Sequence, residues 1–189
     1  MHIAPAQTVL GELMVAGYET VLAPTLGYSN ADNTYGDLLQ GRGNQPTLSL
    51  GHSRGTIVQT NALNIVADKG YVNDRLKVTG VGVAESEETY RGAADRVTNT
   101  PGNTAFIYMR NDPVSVIAAG NPGDAFAAFK EFFNVYASDN SAHSCYGTGA
   151  AGCQTIANPV PGGPVPGRQL SSNVMTYQGG VLQVPQEAR

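Results

Sequence analysis

The sequence predicts an α/β fold with a short, mostly parallel sheet and a hairpin near its C-terminal end. Short apolar runs of strand length alternate along the chain with longer segments whose apolar residues recur at helical spacing. Such alternation is typical of parallel sheets joined by right-handed crossover helices. The 23 Gly and 11 Pro among 189 residues also predict many tight turns between these elements.

The first 70 residues predict two helices around one strand. Residues 5–23 carry apolar side chains at helical spacing and are followed by a proline, which ends a helix. The polar, glycine-rich stretch 27–46 predicts a loop, with at most one helical turn at 35–39. Residues 47–50 predict the first strand, and the apolar stripe of residues 54–69 predicts the helix that follows it.

The middle of the chain continues this alternation. Residues 76–84 predict a valine-rich strand, and the glycines inside it indicate close approach of another element. Residues 86–97 predict a helix. Residues 104–109 form a continuous apolar run, which is typical of a strand buried on both faces. Residues 124–137 predict a fourth helix with aromatic side chains along one face.

The last quarter of the chain predicts a loop and then a hairpin. Residues 138–168 contain both cysteines and a run rich in proline and glycine, which excludes regular structure. Residues 174–177 and 181–184 flank a Gln-Gly-Gly turn, a hairpin signal. We therefore predict a domain over residues 1–157, with residues 158–189 as a linker and hairpin packed on it.

Composition excludes several functional classes. The chain has 11 Lys+Arg against 15 Asp+Glu and a net charge of −4, so it lacks the bulk electrostatic footprint of a nucleic-acid-binding protein. No apolar run approaches the roughly 18 residues that span a bilayer, and the first residues do not resemble a signal peptide. Two cysteines cannot form a four-thiolate zinc site. A soluble domain remains as the expectation.

The turn after the first predicted strand carries the clearest chemical motif. Gly51, His52, Ser53, Arg54 and Gly55 form the pattern G-x-S-x-G between a strand and a helix. This setting projects a serine hydroxyl above the sheet, and the two glycines are expected to relieve crowding there. The Arg54 N–H is the expected first oxyanion donor, and the His52 side chain is expected to point away from Ser53. The simpler alternative is a serine that only caps the helix.

Candidates for an acid and a base follow later in the chain. Asp112 follows the third strand, at the same predicted sheet edge as Ser53, although it is also compatible with a simple Asx turn. His143 is the histidine downstream of both, and the alternative for it is an exposed loop residue. The order Ser53, Asp112, His143 is that of hydrolases with a nucleophile elbow. Glu85, after the second strand, is the alternative acid.

Two features of the predicted site stay open. The second oxyanion donor is expected from the segment beginning at Gly27 or from residues 41–43, and the sequence does not choose between them. Cys145 and Cys153 are either two thiols or a disulfide that would hold the loop of His143. No metal or cofactor is required by the predicted chemistry.

The motifs at residues 48–56, 110–114 and 143–146 together resemble a known family. They resemble the C-terminal regions of filamentous-haemagglutinin-type exoproteins of bacterial two-partner secretion, which include toxin domains of contact-dependent growth inhibition. The elbow and the Asn-Asp-Pro-Val turn are also similar to serine lipases and esterases of the α/β-hydrolase fold. The resemblance covers about residues 8–147 and implies a compact three-layer sandwich.

The same resemblance implies a biological setting. It implies an effector domain that is secreted within a larger cell-surface exoprotein, delivered to a target cell and bound by a cognate immunity protein. The implied substrate is an acyl ester or a lipid, with Ser53 as nucleophile, Asp112 as acid and His143 as base.

Three functions therefore follow as hypotheses. The first is a serine hydrolase acting on esters. The second is a nuclease toxin that uses His143 with Arg54 or Lys77, which the acidic composition disfavours. The third is a non-catalytic interaction segment that keeps a hydrolase-like elbow.

Overall fold

A computed structural model of the chain describes residues 27–100 and 102–132, His143, and the strands at 174–178 and 181–183. Its elements alternate as the sequence predicts. In chain order they are α1 (Asn30–Gly41), β1 (Thr47–His52), α2 (Arg54–Asp68), β2 (Leu76–Val81), α3 (Glu87–Thr98), β3 (Thr104–Met109), a π-helical turn (Val114–Ala118), α4 (Ala125–Phe132), β4 (Val174–Gln178) and β5 (Val181–Gln183).

The five strands form one mixed sheet in the order β1-β2-β3-β4-β5. The first three run parallel, with Gly51 of β1 opposite Gly80 of β2 and Gly80 opposite Phe106 of β3. Strand β4 runs antiparallel to β3, with Ile107 of β3 opposite Thr176 of β4, and β5 runs antiparallel to β4. The α/β class, the parallel strands and the C-terminal hairpin are thus confirmed.

The hydrophobic core lies between the sheet and the helices α1, α2 and α3. Tyr90 and Phe106 meet edge to face in it, with ring centroids 5.9 Å apart. The side chains that fill it are almost fully buried and come from all three helices and from β2 and β3: Leu39, Leu63, Val66, Leu76, Val78, Tyr90, Val97, Phe106 and Tyr108. This core fixes how α2 leaves the end of β1, which is where Ser53 lies.

The predicted loop at 27–46 is wrong, because residues 30–41 form a full helix. A capping box starts it: the Ser29 N–H donates to the Asp32 carboxylate at 2.7 Å, and the Asp32 N–H donates to the Ser29 hydroxyl at 3.2 Å. Gly36 is buried and faces α2, where a Cβ on it would lie 3.5 Å from side-chain atoms of Ile65 and Val66, an ordinary packing distance. The many Asn, Asp and Gly residues hid a helix that capping and packing stabilise.

Other boundaries shift by a few residues. Strand β1 continues two residues beyond the predicted end, to His52, and β2 ends at Val81, three residues early. The π-helical turn was not predicted, whereas the strand over residues 104–109 is confirmed. The predicted helix at 5–23, most of the loop at 138–168 and the division at residue 157 lie outside the described residues. Among the described helices, none is long and apolar enough to cross a bilayer.

Gly80 shows why β2 contains glycine. A Cβ at this position would lie 2.6 Å from a Val83 methyl group, 3.1 Å from the Tyr90 ring and 3.2 Å from the Thr56 methyl group. Real Cβ atoms do not come as close to another atom as the Val83 methyl group would be, and the other two contacts are also tight, so a side chain here requires its neighbours to shift. The close approach predicted from the glycines of this strand is confirmed at Gly80.

We expect Gly80→Ala to lower the free energy of unfolding by about 1–3 kcal/mol, because the added methyl group overpacks the interface between sheet and helix. Gly92→Ala is the matched control, since a Cβ there meets open space within α3. It should raise the free energy of unfolding by about 0.5–1 kcal/mol. Denaturant unfolding of both variants measures these changes, and equal stability of Gly80→Ala and the unsubstituted protein would contradict the packing interpretation.

Candidate active site

Ser53 occupies a strained turn between β1 and α2. Its φ of 52° and ψ of −129° are rare for a residue with a side chain. Two backbone hydrogen bonds hold the turn: the Ser53 N–H donates to the Val81 carbonyl at 3.1 Å, and the Ser53 carbonyl accepts from the Thr56 N–H at 2.9 Å. The Ser53 side chain makes no capping bond to α2. The alternative of a simple helix cap is therefore excluded.

The two glycines of the elbow differ in role. A Cβ on Gly51 would lie 2.7 Å from the Gln59 side-chain oxygen and 3.0 Å from the Gly55 carbonyl oxygen, so β1 and α2 come too close there for a side chain. A Cβ on Gly55 would meet nothing within 4 Å. The expectation that both glycines relieve crowding holds at Gly51 and is wrong at Gly55.

Three predicted residues meet at the end of the sheet. The Ser53 Oγ lies 2.6 Å from Nε2 of His143, and Nδ1 of His143 lies 3.0 and 3.1 Å from the two carboxylate oxygens of Asp112. A carboxylate only accepts, so Nδ1 of His143 carries a hydrogen. In neutral His143, Nε2 is then the acceptor for the Ser53 hydroxyl. His143 is only 8% exposed, which excludes the alternative of a solvent-exposed loop histidine.

Asp112 is completely buried and firmly oriented. One of its carboxylate oxygens accepts the N–H groups of Val114 and Ser115 at 2.8 and 3.2 Å. The Ser115 hydroxyl lies 3.1 Å from the other oxygen and 2.7 Å from the Val83 carbonyl. Asp112 therefore forms the Asx turn of the simpler alternative and contacts His143 as well. Sequence reasoning missed Ser115, because the π-helical turn that places it gave no signal.

Glu85, the alternative acid, has a different environment. It is 5% exposed, and one of its carboxyl oxygens accepts the Thr60 hydroxyl of α2 at 2.5 Å. Burial raises the pKa of Glu85 from 4.5 to about 8, against the opposing effect of the Thr60 hydrogen bond. The carboxylate that contacts His143 is that of Asp112, whereas Glu85 is hydrogen-bonded to Thr60 of α2.

A buried polar chain supports the elbow from below. The Tyr90 hydroxyl of α3 donates to the Gln59 side-chain oxygen at 2.6 Å, and the Gln59 side-chain nitrogen donates to the Ser49 hydroxyl. The Ser49 oxygen also lies 2.6 Å from the Tyr35 hydroxyl of α1. This chain of hydrogen bonds joins strand β1 to helices α1, α2 and α3.

His52 contacts the candidate base directly. Its Nε2 lies 3.2 Å from the main-chain oxygen of His143, and the two imidazole rings stack with centroids 5.4 Å apart. Desolvation lowers the pKa of His52 below 6.5, and the nearby His143 acts in the same direction. The sequence predicted only that this side chain points away from Ser53 and gave no sign of its contact with the base.

The remaining predicted residues have four different outcomes. Arg54 is the first residue of α2, and the N–H groups at a helix start point outward past that end. Residues 41–43 lie at the amino end of the parallel strands, since the Gly43 carbonyl accepts the hydroxyl of Tyr71, which precedes β2. Ser53 lies at the carboxyl end, so residues 41–43 are excluded as oxyanion donors. Gly27 lies ahead of the capping box of α1, and its role stays a prediction. Cys145 and Cys153 lie outside the described residues.

Comparisons with known proteins add no relative: no family model, no curated protein and no solved structure matches this chain. The resemblance to exoprotein toxin regions, the immunity protein and the delivery route therefore stay predictions from sequence. What bears on function is the geometry around Ser53.

We expect the raised pKa of Glu85 to appear in the pH dependence of the free energy of unfolding. The folded protein holds the carboxyl neutral up to a pKa of about 8, whereas the unfolded chain ionises near 4.5. The contribution of the neutral Glu85 carboxyl to the free energy of unfolding is therefore complete below pH 4.5. It is lost as the pH rises from 4.5 to about 8, by about 1.4 kcal/mol per pH unit. Glu85→Gln lacks this loss. From pH 5 to pH 8 its free energy of unfolding should gain on that of the unsubstituted protein by about 3 kcal/mol.

Denaturant unfolding at both pH values measures this difference. Glu88→Gln, an exposed change in the first turn of α3 and three residues after Glu85, is the matched control and should follow the unsubstituted protein. Parallel stability curves for Glu85→Gln and the unsubstituted protein would show that Glu85 ionises normally in the fold.

Proposed function

We propose that this protein is a serine hydrolase that cleaves ester bonds. The observation that carries the proposal is the continuous hydrogen-bonded chain from the Ser53 hydroxyl through His143 to the buried Asp112. A nucleophile within hydrogen-bond reach of a base, with the base oriented by a third group, is the arrangement that activates a serine. The strained elbow of Ser53 supports the same function, because it lifts the hydroxyl out of the helix cap.

The proposed reaction has two halves. The Ser53 oxygen attacks the ester carbonyl carbon while its proton passes to Nε2 of His143, and the resulting imidazolium is stabilised by Asp112. His143 returns that proton to the departing alkoxide, which leaves as an alcohol and gives an acyl-serine. Water then attacks the acyl carbon with His143 again accepting a proton. The acid is released, and the proton returns to Ser53.

The start of α2 supports the charge that develops on the carbonyl oxygen. Its positive end and the Arg54 N–H lie directly after the nucleophile, where an oxyanion forms. Gly27 is the proposed source of the second donor. The proposal also includes a hydrolase-like three-layer arrangement and an acyl ester or lipid as substrate, both of which the sequence resemblance implies.

Two observations support hydrolysis over the two alternative functions. Lys77, offered as a partner of His143 in a nuclease, lies four residues before Val81 on β2, about 13 Å along the strand from the end at which Ser53 is bound. An interaction segment has no need for a histidine held between a serine and a buried carboxylate. Delivery as an interbacterial toxin with a cognate immunity protein is a further proposal, and it depends on the sequence resemblance alone.

Covalent labelling tests the nucleophile. A fluorophosphonate probe should label the unsubstituted protein on Ser53, and Ser53→Ala should abolish both labelling and hydrolysis of p-nitrophenyl acetate. Ser86→Ala is the control, because Ser86 is the N-cap of α3 and its loss costs only about 1 kcal/mol of stability. It should label normally. Equal esterase activity in Ser53→Ala and the unsubstituted protein would exclude this function.

Replacing the candidate acid tests the orientation of the base. Asp112→Asn should preserve much of the shape of the site and lower kcat for the same ester by on the order of 10³–10⁴, since an amide can no longer fix Nδ1–H on His143. Asp124→Asn, which alters an exposed capping residue of α4, is the matched control and should retain activity. A kcat in Asp112→Asn within a few-fold of the unsubstituted protein would remove Asp112 from the mechanism.

A further inference from the structure

His52 makes two separate contacts with His143. Its Nε2 lies 3.2 Å from the main-chain oxygen of His143, and the two rings stack with an angle of 25° between their planes. Neither contact involves the Ser53 or Asp112 side chain, and neither is required by the chemistry of a serine, histidine and carboxylate. They act instead on the main chain and the free face of the base.

We propose that His52 is a positioning residue that holds the His143 main chain so that Nε2 of His143 stays on the Ser53 hydroxyl. The inference depends on the proposed hydrolase function. Ser53 and Asp112 both bind the His143 ring through its nitrogens. Neither of these bonds holds the main chain of His143 or the tilt of its ring. The hydrogen bond from His52 restricts the main chain, and the ring contact restricts the tilt of the imidazole.

The direction of the hydrogen bond follows from its acceptor. A carbonyl oxygen only accepts, so Nε2 of His52 carries the hydrogen. Neutral His52 makes this bond without adding a positive charge beside the imidazolium that forms on His143 during the reaction. A cation at His52 would oppose that imidazolium, because charges this close repel. His52 can therefore support the base without hindering its protonation.

The place of His52 in the chain suits this role. It is the last residue of β1 and immediately precedes Ser53, so one turn carries the nucleophile and the support of the base. The bonds that fix the turn, from the Ser53 N–H to the Val81 carbonyl and from the Thr56 N–H to the Ser53 carbonyl, then fix both side chains relative to each other. Movement of His143 away from Ser53 would have to break its contact with His52.

Three variants separate the two contacts. His52→Gln places an amide N–H near the position of Nε2 and keeps the hydrogen bond, His52→Phe keeps a ring, and His52→Ala removes both. Each is measured in the full chain by p-nitrophenyl acetate hydrolysis, by the rate of fluorophosphonate labelling and by thermal unfolding. We expect kcat and the labelling rate to fall about 10- to 100-fold in His52→Ala and His52→Phe, with KM changed less than threefold.

His52→Gln should recover most of the lost kcat, and this rescue identifies the hydrogen bond to the main chain as the effective contact. A purely structural role would instead lower the unfolding temperature of all three variants and leave kcat of the folded fraction unchanged, which overturns the proposal. So would normal kcat in His52→Ala. Failure of the hydrolase proposal is distinguishable, because it appears as activity or labelling that survives in Ser53→Ala.

Discussion

The turn at Ser53 is the constraint on which the rest of the site depends. A residue with a side chain pays about 1–3 kcal/mol to occupy its backbone conformation, so the surrounding structure must hold it there. Three features do so: the bond from the Ser53 N–H to the end of β2, the close contact of β1 and α2 at Gly51, and the start of α2. With the turn fixed, the serine hydroxyl is unavailable to the helix and lies at hydrogen-bond distance from His143.

The support below this turn is a chain of polar side chains at the first strand of the sheet. The side chains of Tyr35, Ser49, Gln59 and Tyr90 satisfy one another across β1 and the three helices. Buried polar groups specify one arrangement when every member has a partner, because an alternative packing would leave donors or acceptors unsatisfied. These hydrogen-bonded side chains thus restrict the angle between β1 and α2 more than apolar contacts alone would. The position of the turn that carries Ser53 is restricted with it.

Asp112 and Glu85 are two buried carboxyl groups that follow neighbouring parallel strands, and their different hydrogen-bond partners give them different roles. Asp112 accepts two backbone N–H groups and contacts His143, so its negative charge has partners. Glu85 has the Thr60 hydroxyl as the partner that opposes its burial, and its pKa rises to about 8. A charged Asp112 can stabilise an imidazolium on His143, whereas Glu85 is neutral in most of the physiological range. Burial alone does not distinguish them; their hydrogen-bond donors do.

The sequence by itself determined the α/β class, the three parallel strands and the place of Ser53 on a strand-to-helix turn, because strand-length apolar runs and the G-x-S-x-G pattern are local signals. It also offered Asp112 and His143 as candidates, with alternatives for each. Tertiary structure decided the rest. Helix α1 was hidden, since its stability comes from a capping box and from packing on α2 rather than from an apolar stripe. The contact of Asp112, rather than Glu85, with His143 and the contact of His52 with His143 join residues that are 31 and 91 positions apart in the chain, and no spacing in the sequence encodes those contacts.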